Sequence, residues 1–258
     1  MHEHLPISIV CGVMDRSPHL DESLPTWLAH PRVGQVVIVD WSSQVPIEPP
    51  SYDPRVVVSR VVGQKHWCPS KCHNLGLRLA TEPRVLRLDA DHKLAPNFFR
   101  KHPLEARNHF YCVDQAKIDE LGGSDKVHLA GVVYAWRDDF LAVGGYNERI
   151  VTYGWEDNDL VERMKAWGFG ALPIHVEALH HIPHSDEARV ARQDVSHLEG
   201  PRPASFSWAW NLGVTHRSIA TNREMATNRP WSPEMGDHMT AFSISEIKPR
   251  LFLCTEVV

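Results

Sequence analysis

Short apolar segments rich in β-branched residues recur along the first part of the chain and constrain its fold more than any other feature. Each is bounded by polar or turn-forming residues, and the four are Ile7–Val13, Val36–Val39, Val56–Val58 and Val85–Leu88. Helix-like segments separate them at Leu20–His30, where Pro25 restricts the predicted helix to its later part, and at Lys71–Ala80. This alternation predicts an α/β fold, an open and mostly parallel sheet flanked by helices, with ligands at the carboxyl ends of the strands.

The periodic pattern covers most, but not all, of the 258 residues. A strand is predicted within Leu129–Trp136, and a helix over Glu156–Trp167 with Gly168 as its cap. Beyond Ser185 the pattern weakens and prolines become frequent. We therefore expect a catalytic-type domain over residues 1–190 and a C-terminal extension, residues 191–258, that packs on it.

Composition excludes several classes of protein. No apolar run reaches the roughly 18 residues that a membrane span needs, and there is no basic leader. The 5 cysteines are scattered, which favours a reducing compartment, so we expect a cytoplasmic protein. The net charge of -5 argues against a phosphate-backbone partner, which leaves a modified base as the nucleic-acid acceptor to consider.

Two carboxylates follow the fourth predicted strand. Asp89 and Asp91 are two residues apart, so in extended geometry both point to the same side. Hard divalent cations such as Mg²⁺ and Mn²⁺ bind carboxylate oxygens and keep positions open for substrate phosphates. The pair predicts a metal-bound diphosphate at this sheet edge.

A second constellation follows a double-glycine turn. Tyr153, Gly154 and Trp155 offer an aromatic wall and a close backbone approach, and Glu156 and Asp157 begin the predicted helix. An acid at a helix start also complements the helix dipole, which accounts for one or two of these carboxylates without any catalysis. For a group transfer, one carboxylate would take the proton of an acceptor hydroxyl. Asp157 is the favoured base and Glu156 the acceptor's hydrogen-bond partner, and the two roles are interchangeable at this stage.

A histidine-rich segment, His180–His184, offers imidazole ligands that could complete a metal site. Exposed polar loop residues are the alternative interpretation of the same segment.

With these residues in hand, the chain resembles inverting GT-A glycosyltransferases over about residues 7–186. The resemblance is to bacterial family-2 enzymes and to the carboxyl-terminal region shared by galactosyltransferases and chondroitin-type polymerases. It implies a nucleotide-sugar donor, most plausibly a uridine diphosphate sugar, bound with Mn²⁺ or Mg²⁺. The donor-binding residues that it implies are Asp15, Arg16, Asp40, Lys71, Asn74 and Asp89.

The resemblance also implies the remaining roles. Asp91 matches the metal ligand of the Asp-x-Asp motif, and His184, with His181 in reserve, matches the further metal ligand of the galactosyltransferase-like members. Asp157 matches the catalytic base that follows a glutamate. The sequence departs from the family at Trp41 and Ser42, where many relatives carry Asp-Gly, and lacks a glycine that galactosyltransferases have before the Glu-Asp pair.

Three rival hypotheses are consistent with parts of the sequence. One is a zinc module built from His66, Cys68, Cys72 and His73, which are too crowded in sequence to converge easily. The second is a non-catalytic carbohydrate-binding protein whose 9 tryptophans stack on sugars, and the third is a metal-dependent nucleotidyltransferase. The latter gives no role to the Gly-Trp-Glu-Asp segment.

Overall fold

A computed structural model describes residues 5–113, 129–185, 191–194, 208–232, 234 and 239–257. The strands are β1 (Ile7–Val13), β2 (Val33–Trp41), β3 (Val56–Val61), β4 (Arg84–Arg87), β5 (His92–Leu94), β6 (His109–Cys112), β7 (Val133–Trp136), β8 (Gly170–Pro173), β9 (Leu179–His181), β10 (Phe242–Lys248) and β11 (Leu251–Glu256). The helices are α1 (Ser17–Leu28), α2 (Pro69–Leu79), α3 (Phe98–Lys101), α4 (Arg137–Ala142), α5 (Glu156–Ala166) and α6 (Trp208–Asn228), with a 3-10 turn at Val176–Ala178.

Within these described ranges, nine strands form one sheet in the order β10-β11-β3-β2-β1-β4-β7-β6-β8. Strand β1 pairs in parallel with both β2 and β4, β3 continues the parallel run, and β7 is antiparallel to both of its neighbours. Strands β5 and β9 form a separate antiparallel ribbon. The strand order reverses at β1, so the crevice beyond the carboxyl ends of β1 and β4 is the place where such sheets bind ligands. The predicted α/β class and mostly parallel sheet are confirmed.

The central strands are continuous apolar runs because helices cover both faces of the sheet. Along β1, Ile7, Ile9 and Cys11 pack into one buried cluster, whereas Val10 belongs to a second cluster on the opposite face. Fully burying an aliphatic side chain of this kind stabilises the fold by about 1.5–3 kcal/mol. Helix α2 lies close to the sheet at Gly76, where an added Cβ would come within 2.4 Å of Val10 Cγ1.

Several predicted elements have different bounds in the structure, and two of these differences have a clear physical reason. Helix α1 begins at Ser17 and passes through Pro25, so the prediction that the proline would confine the helix to its later part is wrong. A buried stripe that includes Leu24 and Trp27 holds this helix on the sheet despite the lost hydrogen bond. In the segment 129–136, only Val133–Trp136 is a strand, because a turn with a bond from Val132 N to Leu129 O precedes it.

The C-terminal part contributes more regular structure than its sequence pattern indicated. Helix α6 is 21 residues long, and β11 pairs in parallel with β3, so the β10–β11 hairpin extends the same sheet. In the described part of the chain, no helix is both long and apolar enough to cross a membrane. Composition makes the region from Gln193 to Asn211 a candidate for a lid over the ligand site, and residues 195–207 of that region lie outside the described residues.

Candidate active site

The carboxyl ends of β1 and β4 and the start of α5 surround a cavity of about 490 Å³. Its wall brings together nine residues that the sequence singled out: Arg16, Asp89, Asp91, Tyr153, Gly154, Trp155, Glu156, Asp157 and His184. A cavity of this size falls in the range of roughly 300–1,000 Å³ that small-molecule ligands occupy. Residues from both predicted constellations therefore face one space.

A carboxylate surrounded by imidazoles forms one end of this cavity. His184 Nε2 lies 3.0 Å from Asp91 Oδ2, and His181 Nε2 lies 3.6 Å from the same oxygen. His92 Nε2 lies 3.6 Å from the other oxygen of Asp91. The antiparallel pairing of β5 with β9 sets His92 opposite His181, which explains how residues distant in sequence converge here.

The donor set at Asp91 fits a divalent cation. Burial acts to raise the pKa of Asp91, but the imidazoles of His181 and His184 outweigh it and hold this pKa well below its usual range. The carboxylate is therefore ionised at every relevant pH, as a cation ligand must be. One carboxylate and neutral imidazoles, with ligand atoms within 4.8 Å of one another, suit Mn²⁺ and similar ions.

A pair of buried acids forms the opposite end. Glu156 and Asp157 are the first residues of α5, after two residues with positive φ: Gly154 at 92° and Trp155 at 74°. The glycine is required for space as well, because a Cβ there would come within 2.4 Å of Ile219 Cγ1 on α6. The sharp turn aims both carboxyl groups at the cavity.

The protonation of this acid pair differs from that of ordinary surface carboxylates. Burial, reinforced by the charge of Asp157, raises the pKa of Glu156 to about 8. Burial also raises the pKa of Asp157, but the positive charge of Arg87 opposes that change. At neutral pH Glu156 therefore holds a proton, and Asp157 is the member of the pair that ionises first, because its negative charge contributes to the raised pKa of Glu156.

Helix α6 fixes the backbone that precedes the acids. Asn222 Nδ2 donates to Gly154 O at 2.8 Å, and Ser218 Oγ donates to Tyr153 O at 2.7 Å. The guanidinium of Arg223 lies 4.9 Å from the ring centre of Trp155. Sequence analysis missed these partners because α6 has no clear apolar periodicity; its buried polar residues, Ser218 and Asn222, were the available signal.

Asp15 and Arg16 lie at the mouth of the cavity. Arg16 lines it, whereas Asp15 forms an ion pair with Arg192, whose Nε donates to Asp15 Oδ2 at 2.6 Å. The neighbouring Gln193 accepts a hydrogen bond from Tyr153 N at 3.1 Å. Residues 191–194 thus connect the predicted donor side to the predicted acceptor side.

Besides Asp15, three more predicted donor-binding residues do not line the cavity. Asp40 is fully buried, and its carboxylate accepts bonds from Ser43 N and from Arg60. Lys71 Nζ lies 2.6 Å from Glu256 on β11. Asn74 holds the double-glycine turn through bonds to Tyr146 N and O of 2.7 and 2.9 Å. Their roles in donor binding stay predictions, whereas their structural contacts are evident.

The positions of the residues named for the zinc module and for carbohydrate binding give little support to either rival hypothesis. Among the described residues, the four predicted zinc ligands do not form a group of three or more ligand atoms, and His73 is instead bonded to Arg87. Trp27, Trp41 and Trp136 are completely or almost completely buried, so they are core residues that cannot stack on a sugar. Trp67 and Trp155 line the cavity. Trp208 and Trp210 are two further tryptophans that could stack on an acceptor sugar, and their side chains lie outside the described ones.

Comparisons with known proteins agree with this geometry. A family model described as the N-terminal domain of galactosyltransferase matches residues 122–185, the segment that carries the acid pair and His184. No curated protein matches the chain.

Solved structures match over almost the whole chain. The catalytic domain of Drosophila β1,4-galactosyltransferase 7 in complex with xylobiose has a TM-score of 0.58 at 13% identity, covering 98% of this chain and 94% of that one. A mutant of that enzyme with manganese, UDP-Gal and xylobiose gives 0.61 at 12%, with the same coverage. A mannosyltransferase from Pyrobaculum calidifontis with GDP-Man and Mn²⁺ gives 0.54 at 13%, covering 89% and 77%. The predicted resemblance is confirmed: the chain has the fold of GT-A glycosyltransferases, and its acid-pair segment matches a galactosyltransferase model.

Proposed function

We propose that this chain is a metal-dependent, inverting glycosyltransferase that moves a sugar from a nucleoside diphosphate sugar, best supported as a UDP-sugar, to an acceptor hydroxyl. The observation that carries the proposal is the single cavity that has the Asp91–histidine cluster at one end and the Glu156–Asp157 pair at the other. A cation site and a proton acceptor are the two ends that a nucleotide-sugar transfer requires.

The donor end is formed by Asp89, Asp91 and His184, with His181 beside them and Arg16 on the same wall. Asp91 and the histidines would hold Mn²⁺ or Mg²⁺, and the cation, when bound, would offset the charge of the departing diphosphate. The solved neighbours contain manganese with UDP-Gal or with GDP-Man, which supports this cofactor and this donor class.

At the other end, Asp157 accepts the proton of an acceptor hydroxyl. The hydroxyl oxygen bonds to the anomeric carbon while the bond from that carbon to the diphosphate oxygen breaks, and the electron pair leaves with the nucleoside diphosphate. A single attack from the side opposite the leaving group inverts the anomeric centre. Glu156, which retains its proton at neutral pH, donates a hydrogen bond that orients the acceptor.

The acceptor is proposed to be a carbohydrate hydroxyl that lies against Trp155. Its indole offers an apolar face for the hydrogen-bearing face of a sugar ring, beside the acid pair. The Drosophila neighbour was solved with xylobiose, which supports a glycan acceptor over a modified nucleic-acid base.

Calorimetric titration with UDP, GDP, CDP and TDP, each with and without Mn²⁺, tests the donor half of this proposal. We expect Mn²⁺-dependent binding of one nucleotide. Turnover is then measured with UDP-galactose, or with the sugar nucleotide that corresponds to the bound nucleotide, and with xylobiose as a trial acceptor. Release of pyrophosphate from UTP in the presence of a sugar 1-phosphate would instead identify a nucleotidyltransferase. A folded protein that binds none of the four nucleotides would support the carbohydrate-binding alternative.

A further inference from the structure

One buried cation in the cavity wall has no role in the steps above. We propose that Arg87 is a positioning residue for Asp157, the proposed base, and that Asp89 anchors the guanidinium in a frame beside that carboxylate. This inference rests on the proposed function. Arg87 affects the reaction only by positioning Asp157.

The contacts of Arg87 reach both ends of the cavity. Its Nη2 lies 2.9 Å from Asp89 Oδ1, and its Nη1 lies 3.2 Å from Asp89 Oδ2, a two-pronged pairing with that carboxylate. The same Nη1 donates to Gly131 O at 2.7 Å and lies 3.8 Å from Asp157 Oδ1. One planar guanidinium therefore spans the two constellations.

Arg87 acts on Asp157 through its charge and not through a hydrogen bond. At 3.8 Å, the Arg87–Asp157 contact is too long for a hydrogen bond, and among the described residues Asp157 Oδ1 accepts none. Asp157 thus has an oxygen that no donor occupies, and the positive charge beside it favours the carboxylate form. The other charged or titratable groups that face Asp157 are Asp89, His92 and the neighbouring Glu156.

A buried histidine sets the orientation of the guanidinium. Arg87 Nη2 lies 2.6 Å from His73 Nε2, and because arginine has only donors, His73 Nε2 must be the acceptor. His73 is fully buried on α2, and its burial, together with the charge of Arg87, lowers its pKa well below the usual range. Helix α2 therefore holds Arg87 through a neutral imidazole.

Gly131 completes the frame from the β7 side. A Cβ on Gly131 would lie 2.1 Å from Arg87 Nη1 and 2.8 Å from Asp157 Oδ2, so any side chain there would push the two groups out of place. Arg87 is only 3% exposed, and a buried charge costs several kcal/mol unless it is well paired. An apolar residue at position 87 would avoid this cost of burying a charge. The presence of a buried arginine, with space left for it at Gly131, therefore indicates a role for the charge.

A double-mutant cycle tests the inference with UDP-galactose, Mn²⁺ and xylobiose, measured as UDP release. Arg87→Met should lower kcat by at least about 100-fold, with KM for UDP-galactose and the affinity for UDP–Mn²⁺ changed by less than about fivefold. Arg87→Lys keeps the charge without the fork and should recover part of kcat. In the Asp157→Asn background, Arg87→Met should cause no further loss, because its effect passes through Asp157.

Gly131→Ala provides a second variant that retains both charged side chains, and it decides the matter if Arg87→Met fails to fold. We expect it to lower kcat with nucleotide affinity retained. Arg107→Met is the matched control and should leave kcat unchanged. Arg107 forms an exposed pair with Asp138 and does not line the cavity. Fully additive losses in the cycle, or a normal kcat in Gly131→Ala, would overturn the inference. A folded wild type that binds none of the four nucleoside diphosphates with Mn²⁺ would instead overturn the proposed function, and the inference with it.

Discussion

The two ends of the cavity both contain buried or half-buried carboxylates, yet their pKa values move in opposite directions. At the histidine end, neighbouring imidazoles hold the pKa of Asp91 well below its usual range. At the helix end, burial raises the pKa of Glu156 to about 8 and raises that of Asp157 as well. Both ends are shielded from water, so burial alone does not determine the protonation state.

The difference lies in the neighbours that each end receives. Asp91 is surrounded by His92, His181 and His184, whereas the acid pair has Arg87 as its nearest cation and a further carboxylate, Asp89, nearby. One end is therefore suited to keep a permanent anion for a cation, and the other to exchange a proton near neutral pH. The following predictions test this contrast, from the largest expected effect to the smallest.

Asp91→Asn removes the permanent anion and should abolish Mn²⁺-dependent turnover of the donor. The neutral amide leaves the imidazoles without their carboxylate partner and cannot offset the cation's charge. Calorimetry with Mn²⁺ and UDP, together with UDP release, measures the loss. Mn²⁺-dependent activity that survives in this variant would remove Asp91 from the metal site.

Asp157→Asn should lower kcat by about 10²–10⁴-fold while donor binding is retained, since a general base contributes about that much. Glu156→Gln should lose much less, because glutamine still donates a hydrogen bond. Steady-state kinetics and nucleotide titration of the two variants separate the roles. If Glu156→Gln loses as much as Asp157→Asn, the base must be reassigned.

The pH profile of kcat/KM should be bell-shaped, with an alkaline limb near pH 8. Activity requires ionised Asp157 and protonated Glu156; as pH rises past the raised pKa of Glu156, a second negative charge appears beside the base and the diphosphate. Activity should then fall by about tenfold per pH unit. In Glu156→Gln the alkaline limb should disappear, and an unchanged limb would assign it to another group.

Glu156→Gln should also be more stable than wild type at pH 8. The pKa of Glu156 in the folded protein, about 8, exceeds its ordinary value of 4.5, so between these values the folded state binds more protons than the unfolded state. Its contribution to stability is full below pH 4.5 and is lost as pH rises through 8. We expect a Tm higher by at least about 3 °C at pH 8, with the difference vanishing near pH 4.5.

Lys71→Met should have the smallest effect and tests whether the donor end uses a further cation. Lys71 is paired with Glu256 at the protein surface, and pairs of this type contribute about 0–1 kcal/mol. Nucleotide affinity should therefore be unchanged and Tm nearly so. A tenfold or greater loss of UDP affinity would place Lys71 in the donor site, as the family resemblance implied.

The sequence predicted the elements whose pattern is local. Strand β1 has the predicted bounds, and α5 differs by one residue at its end, because β-branched runs and an acid-rich helix start are encoded within a few positions. Asp91 and Asp157 were found because motifs place them. Arg87 was missed although it lies two residues before Asp89, where strand alternation puts it on the same side. Its partners His73 and Gly131 are distant in sequence, so no local pattern reveals the frame.

The hydrogen bonds from α6 to the backbone of Tyr153 and Gly154 bear on where acceptor and donor specificity are encoded in the gene. The Asp91 cluster draws its residues from positions 91–184, whereas the backbone of the proposed acceptor platform is held by Ser218 and Asn222 of α6. Under the proposed function, substitutions in α6 would alter acceptor recognition and leave the residues of the cation site unchanged. Acceptor choice and donor chemistry would then be encoded in separate parts of the gene.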